Sequence, residues 1–206
     1  GYIKDALINF VALLGWHGSD DKEIYNIDEL ITEFSVNRIR SSGAVFDIKK
    51  LTWFNQQYIK NTESKLLLSY IKDNLSKDWE IKEAMIDLIK DNVNTLNDFQ
   101  EKLLIFFDYN AVNIDDEKNL FSDEIYKLIK EISRYLNNTN NISSDAFKEK
   151  VNKLKSINNI SGNIWKPIRI AVTGKEHGPD IGKFVEILGG DQCSYRINMF
   201  LEKNVH

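Results

Sequence analysis

The chain has 206 residues, 42% of them hydrophobic and 28% charged, with a net charge of −4; at that size it can bury roughly 70% of the surface its unfolded form exposes. Two prolines and ten glycines exclude collagen-like and low-complexity chains and speak against a loop-rich all-β fold. Apolar runs such as Leu103–Phe107 fall far short of the roughly 20 residues of a membrane helix. The single cysteine, Cys193, excludes an internal disulfide and a cysteine-cluster zinc site and fits a reducing compartment.

In chain order, the pattern predicts helices almost throughout. Residues 4–14 place Ala6, Leu7, Phe10, Val11 and Leu14 at spacings of three and four, with Gly15 as a stop. Asn26 and Glu29 form a capping pair opening Ile27–Phe34. Asp47 is the expected N-cap of Ile48–Ile59, whose Ile48, Leu51, Phe54 and Tyr58 share a face. Thr62 is expected to cap a helix through Leu75, and Ser76 or Lys77 to precede one that turns Ile81, Met85, Leu88 and Ile89 inward. Thr95 with Asp98 opens a helix to about Phe107; Asp108–Asp116 reads as a loop, and Ser122–Leu136 as a long helix. Asn137–Asn141 and Asn158–Gly162 read as turns, with a helix capped by Ser144 between them. Short strands are conceivable near Ala44–Phe46. The end of the chain, with both prolines and six glycines, should have shorter helices and sharper corners.

Catalytic signatures are missing. There is no phosphate loop, no dinucleotide fingerprint and no nucleophile elbow. His17, His177 and His206 are far apart, so no paired metal ligands arise. Cys193, beside Tyr195 and Ile197, reads as a packing residue. The adjacent acids Asp20–Asp21 and Asp115–Asp116 read as solvated loop residues.

Charge is unevenly spread. Residues 36–60 carry Arg38, Arg40, Lys49, Lys50 and Lys60 against Asp47 alone. Residues 148–183 carry seven lysines and Arg169 against Glu149, Glu176 and Asp180. Basic islands in an otherwise acidic chain can be footprints for a polyanion, or ordinary surface patchiness.

Three stretches carry a resemblance. The opening Gly1-Tyr2-Ile3-Lys4-Asp5-Ala6-Leu7-Ile8-Asn9-Phe10, continuing through Leu13-Leu14-Gly15-Trp16, resembles the helix that follows the second ATP-site signature of bacterial glutamyl-tRNA synthetases. Ala44-Val45-Phe46-Asp47-Ile48-Lys49-Lys50-Leu51, with Trp53, Asn55 and Tyr58-Ile59, is similar to a family signature. Pro167-Ile168-Arg169-Ile170-Ala171-Val172-Thr173-Gly174, then Gly178-Pro179, resembles the end of the same enzymes' anticodon-binding region. The three lie in family order across the whole chain.

The resemblance implies a C-terminal piece of an enzyme that joins glutamate to tRNA(Glu) with ATP and Mg. The catalytic domain, with its His-Ile-Gly-His signature and lysine-serine-lysine loop, would precede Gly1. This piece would grip tRNA, be catalytically inactive alone, and hold no cofactor or metal. It implies an all-α architecture: a stem-contact helical domain at 1–61 and an anticodon-binding region at 62–206 in two subdomains, with a break near 137–141. A cytoplasmic monomer without DNA or membrane partners is expected.

By the same resemblance, Arg169 sits where an anticodon base is read. A guanidinium can bond a base edge in two places or stack on a splayed base. Gly178, Pro179 and Ile181 would form the adjoining loop, with His177 as a stacking candidate and Lys175 and Lys183 near phosphates. Asn92 stands where some family members carry an anticodon-checking arginine, and it has no charge and less reach. Arg38, Arg40, Lys49 and Lys50 are candidates for tRNA phosphates. Trp53 and Tyr58 could stack on bases but read as core beside Leu51 and Phe54; Asn55 reads as a cap or backbone orienter, and Trp16 and Trp165 as packing anchors. The competing readings are a helical protein-interaction module without a nucleic-acid role, and a metalloenzyme gathering His17, Asp20 and Asp21.

Overall fold

A computed structural model of the protein describes residues 1–40, 43–76, 78–114, 120–139 and 141–204. Lys77, Asp115, Asp116 and His206 therefore lie outside the described residues. The described residues are all-α and divide into two compact units, Gly1–Leu103 and Leu104–His206.

The first unit holds α1 (Lys4–Gly15), α2 (Ile27–Glu33), α3 (Ile48–Asn61), α4 (Ser64–Ile71), α5 (Glu83–Ile89) and the start of α6 (Asp98–Phe107). Spacings of three and four bring Phe10 of α1 against Leu51 and Phe54 of α3, with Tyr2, Leu13, Leu14, Ile24 and Tyr58 packed around them. Full burial of each such side chain contributes about 1.5–3 kcal/mol. A second cluster joins Trp16, Tyr25 and Leu30. Two buried asparagines tie these layers together. Asn9 Oδ1 accepts from the Tyr25 N–H at 2.5 Å, and its Nδ2 donates to the Glu23 carbonyl at 2.8 Å. Asn55 Oδ1 accepts from the Ile3 N–H at 2.7 Å while its Nδ2 donates to the Asn94 carbonyl at 2.6 Å. The Tyr58 hydroxyl shares its one proton between Asn9 Oδ1 and the Tyr25 carbonyl.

The caps follow the sequence where a short polar side chain faces the first free N–H groups. Asn26 and Glu29 exchange side-chain-to-backbone bonds at 2.9 Å each. Asp47 Oδ1 takes the Lys49 and Lys50 N–H groups, and Asp98 takes those of Asn94 and Thr95. Thr62 does not cap α4: its hydroxyl donates backward to the Tyr58 carbonyl at 2.7 Å, and the helix opens after Glu63. No strand forms at Ala44–Phe46. The β pairing among the described residues is the isolated bridge Trp16–Ile39.

The second unit holds the end of α6, α7 (Asp123–Asn137), α8 (Ser144–Ile157), α9 (Trp165–Thr173), α10 (Ile181–Leu188) and α11 (Gly190–Asn204). α7 buries Ile125, Leu128, Ile129, Ile132 and Leu136 and lies antiparallel to α11, with the Ser133 and Ser194 hydroxyls 2.9 Å apart. Ser143, not Ser144, caps α8, accepting from the Ala146 N–H at 3.2 Å. The last helix is 15 residues long, so the glycines and prolines mark corners rather than uniformly short helices. Cys193 is fully buried, and burial pushes its thiol up to about 12 against the opposing charge of Arg196.

The sequence-based parting at 61/62 lies inside the first unit, because Asn55 of α3 bonds the backbone at Asn94 and Gln56 that at Asp91. Helices α7 and α8, on either side of 137–141, both belong to the second unit.

Candidate nucleic-acid interface

Arg169 lies on the penultimate turn of α9, half-buried, and its Nη1 donates to the Pro179 carbonyl. Burial lowers its pKa, opposed by the nearby charge of Asp180. Gly174 ends α9 in the left-handed region, φ 69°, and donates its N–H to the Ile170 carbonyl at 2.8 Å. A Cβ on Gly174 would meet the Asn110 carbonyl oxygen at 2.7 Å, so both conformation and space demand glycine there. The loop then carries exposed Lys175, His177 and Gly178 back past the guanidinium; a Cβ on Gly178 would sit 3.5 Å from Arg169 Nη1. Asp180 closes the loop by capping α10 through the Lys183 N–H at 2.9 Å and by pairing with Lys148 at 2.8 Å. Burial alone would raise the Asp180 carboxyl, but the hydrogen bonds from Lys148 and the Lys183 N–H outweigh it and hold the group below its ordinary range.

The structure thus brings Arg169, Gly178 and Pro179 together with Lys175 on the same short loop. Ile181 is different. It is 4% exposed, so its side chain is core, and only its backbone stands at the loop's edge. Glu176 pairs with Lys166 at 2.7 Å and lies 3.9 Å from His177 Nε2, while the His177 side chain is 95% exposed. Asn92 is exposed and ends a 3-10 turn of the first unit, Lys90–Asn92.

The first basic island is partly spent on structure. Arg38 lies over the Trp16 ring at 5.6 Å and donates from Nη2 to the Glu33 carbonyl at 2.7 Å, so it caps the end of α2. Lys50 pairs with Glu23 at 2.5 Å and lies over the Phe54 ring. Arg40 and Lys49 are exposed. Arg40 and Lys50 line two depressions, of about 210 and 530 Å³. The larger also gathers His17, Asp20 and Asp21, but Asp20 Oδ1 already accepts from the Lys22 N–H and the Tyr25 hydroxyl. Among the described residues, no group of three or more His, Cys, Asp or Glu side chains could hold a metal ion.

Trp53 is not core: it is 41% exposed and meets Phe54 edge-on at 5.2 Å. It lies one and two residues from Phe54 and Leu51, off the face they share. Asn55 is the backbone orienter its position suggests, and Trp16 is buried as a packing anchor. Arg196 escaped the sequence reading. It is buried, and its guanidinium donates to the Ile105, Phe106 and Val172 carbonyls at 2.8, 2.6 and 3.4 Å, capping the ends of α6 and α9 together. The signal was its place between Cys193, Ile197 and Phe200, all on the apolar face of α11.

Similarity to known proteins follows the same lines. Residues 1–53 match the family described as tRNA synthetases class I (E and Q), catalytic domain. The glutamate–tRNA ligase of Natranaerobius thermophilus is 32% identical over 98% of this chain and 44% of its own length. That of Mycoplasmopsis pulmonis is 34% identical over 96% of this chain and 42% of its own. A crystal structure of a glutamate tRNA ligase from Elizabethkingia meningosepticum in complex with its amino acid superposes with a TM-score of 0.86 at 29% identity, covering 98% of this chain and 41% of that one. The chain therefore spans under half the length of these relatives. The family described as anticodon binding domain matches residues 49–201, meeting the first match near α3 rather than at the division between the compact units. Matched along about three quarters of its length, the chain belongs to the anticodon-binding domain family, as represented in glutamate–tRNA ligases.

Proposed function

We propose that this chain is the tRNA-gripping part of a glutamate–tRNA ligase, and that the loop packed on Arg169 reads anticodon bases. The observation that carries the reading is the juxtaposition of a half-buried guanidinium with an exposed Gly178 and a half-buried Pro179 inside an anticodon-binding domain. Pro179 fixes one edge of the guanidinium, which reduces the ordering cost of presenting its fork to a base. The exposed backbone at Gly178 adds hydrogen-bonding groups that can meet a pairing edge. Lys175, Arg40 and Lys49 supply phosphate contacts, while Arg38 and Lys50 serve chiefly to hold their own unit. Asn92 is a neutral contact to a further base. A cognate tRNA(Glu), a monomeric cytoplasmic enzyme, and ATP with Mg for glutamate activation by the full-length ligase belong to the same proposal. No helix of the described residues is long and apolar enough to cross a membrane. The match to an anticodon-binding family favours this reading over a protein-interaction module.

The test is a fluorescence-anisotropy titration of the chain with labelled tRNA(Glu) and with an unrelated hairpin. Wild type is expected to prefer tRNA(Glu). Arg169→Ala should lose about 1–3 kcal/mol of that preference, and Arg169→Lys should not restore it, because a point charge cannot reproduce the fork. Equal affinity of wild type for both RNAs overturns the proposal.

A further inference from the structure

Helix α7 carries a basic stripe that neither charge island contains. Its apolar face is buried against the unit, and Lys127, Lys130 and Arg134 follow one another at spacings of three and four on the opposite, exposed face. Successive residues turn about 100° around the axis, so these three form one row along two turns. Of the carboxylates of α7, Asp123 stands at the head of the same row, four residues before Lys127, and Glu131 borders it; neither forms an ion pair with the row. Asp123 and Glu124 occupy the first turn, and Glu131 faces α8, where its Oε2 accepts from Asn158 Nδ2 at 3.0 Å. Among the described residues none of the three cations is paired with a carboxylate. The row extends onto α8: Lys150 lies over the ring of Tyr135 at 5.2 Å, and Lys153, one turn on, is exposed.

Like charges three and four residues apart destabilise a helix by about 0.2–0.5 kcal/mol per pair. Asp123, four residues before Lys127, and Glu131, three before Arg134, offset part of that cost, yet no ion pair closes on any of the three cations among the described residues. A polyanion would supply the missing partners.

We infer that Lys127, Lys130 and Arg134, flanked by Lys150 and Lys153, form a second RNA site that grips the phosphate backbone without reading bases; the inference rests on the proposal that this chain binds RNA. At about 1.5 Å rise per residue the row is about 10 Å long, and a nucleic-acid strand in a duplex presents a phosphate about every 3.4 Å along its axis. The row therefore spans about three phosphates. Flexible lysine stems suit such point contacts, and contacts of this kind position an RNA rather than select it. The stripe and the Arg169 loop thus divide the work into holding and reading.

The experiment measures the salt dependence of binding by the whole chain to tRNA(Glu) and to an unrelated hairpin. The triple variant Lys127→Ala, Lys130→Ala, Arg134→Ala should lower affinity about tenfold or more for both RNAs and flatten the plot of log affinity against log salt by about 2–3. A control with the same charge change, Lys65→Ala, Lys72→Ala, Lys82→Ala, should leave the slope near wild type. Arg169→Ala should instead lower the preference for tRNA(Glu) and change the slope by no more than about one. All substitutions of the triple are exposed, and unchanged far-UV circular dichroism establishes that it folds. If wild type prefers tRNA(Glu), Arg169→Ala abolishes the preference, and the triple behaves like the control, the stripe is not an RNA site while the anticodon reading stands. If wild type binds neither RNA, both fall.

Discussion

Five arginines among 22 lysines mark positions where a planar fork is needed, and the structure uses them in opposite ways. Arg169 keeps part of its surface open beside the Gly178-Pro179 loop, whereas Arg196 is enclosed and aims its donors at the carbonyl ends of two helices. Those carbonyls have no intrahelical partner, and water cannot reach them. Arg196→Met keeps the apolar stem but leaves the Ile105 and Phe106 oxygens unpaired, which should destabilise the second unit by about 3 kcal/mol. Urea unfolding followed by circular dichroism checks this; a midpoint equal to wild type would mean the guanidinium contributes nothing net. Arg196→Lys should recover less than half, since one ammonium cannot serve both helix ends. A sequence shows that an arginine is scarce but not whether its fork faces solvent or a helix end. Arg38 illustrates the same limit: it read as a phosphate contact and is half-buried over Trp16, with one nitrogen capping α2. Asn55 was readable as an orienting residue because a polar side chain stands on a face otherwise made of Leu51, Phe54 and Ile59.

At the scale of helices, periodicity and short polar caps were enough to place α1, α2, α3, α6 and α7 close to their observed bounds. Elsewhere the bounds differ: α5 opens at Glu83 rather than just after Ser76 or Lys77, α4 ends at Ile71 rather than Leu75, and two expected caps are displaced. Ser143 wins over Ser144, and Thr62 turns its hydroxyl back to its own preceding helix. What no pattern shows is how closely two helices approach. Gly190 opens α11 so near the end of α7 that a Cβ there would lie 2.5 Å from the Leu136 carbonyl oxygen and 3.0 Å from that of Thr139. Both obstacles are backbone, and neither can rotate away. Gly190→Ala should therefore cost about 1–3 kcal/mol through overpacking, even though alanine is the better helix former by about 1 kcal/mol. A substitution that stabilised the protein in thermal unfolding would show that the α7–α11 junction yields more easily than its geometry implies. Gly182, whose nearest neighbours are the side-chain atoms Ser144 Oγ and Lys148 Cε at 2.5 Å, faces a softer obstacle, and alanine there should cost less.

Across the whole molecule, each unit buries acid–base groups that ionise only in alkali, and this links stability to pH in a defined direction. Burial, with the charge of Asp20 added, pushes Tyr25 up to about 12, and burial followed by the charges of Asp5 and Glu29 does the same for Tyr58. In the second unit burial raises Cys193 from 9.0 to about 12 and also raises Tyr109, whose hydroxyl faces the Ala171 and Arg196 carbonyls. For all four groups the folded state holds its proton more tightly than the unfolded chain. Between the unfolded and folded values the unfolded chain binds fewer protons, so rising pH favours unfolding. Their contribution is fully present at neutral pH, begins to fade near pH 9 where Cys193 would ionise in the unfolded chain, and fades faster from about pH 10 as the tyrosines join. Cys193→Ala should remove the earliest part of that decline and leave the tyrosine part in place. Tyr58→Phe should flatten the later part, while weakening the first unit at neutral pH by the loss of the bond that ties α3 to Asn9 and Tyr25. Urea midpoints measured in steps from pH 8 to pH 11 read both effects at once. Midpoints constant across that range would mean these groups ionise as readily in the folded protein as in the unfolded chain, which is incompatible with a buried Tyr25 whose hydroxyl faces Asp20 and a buried Cys193.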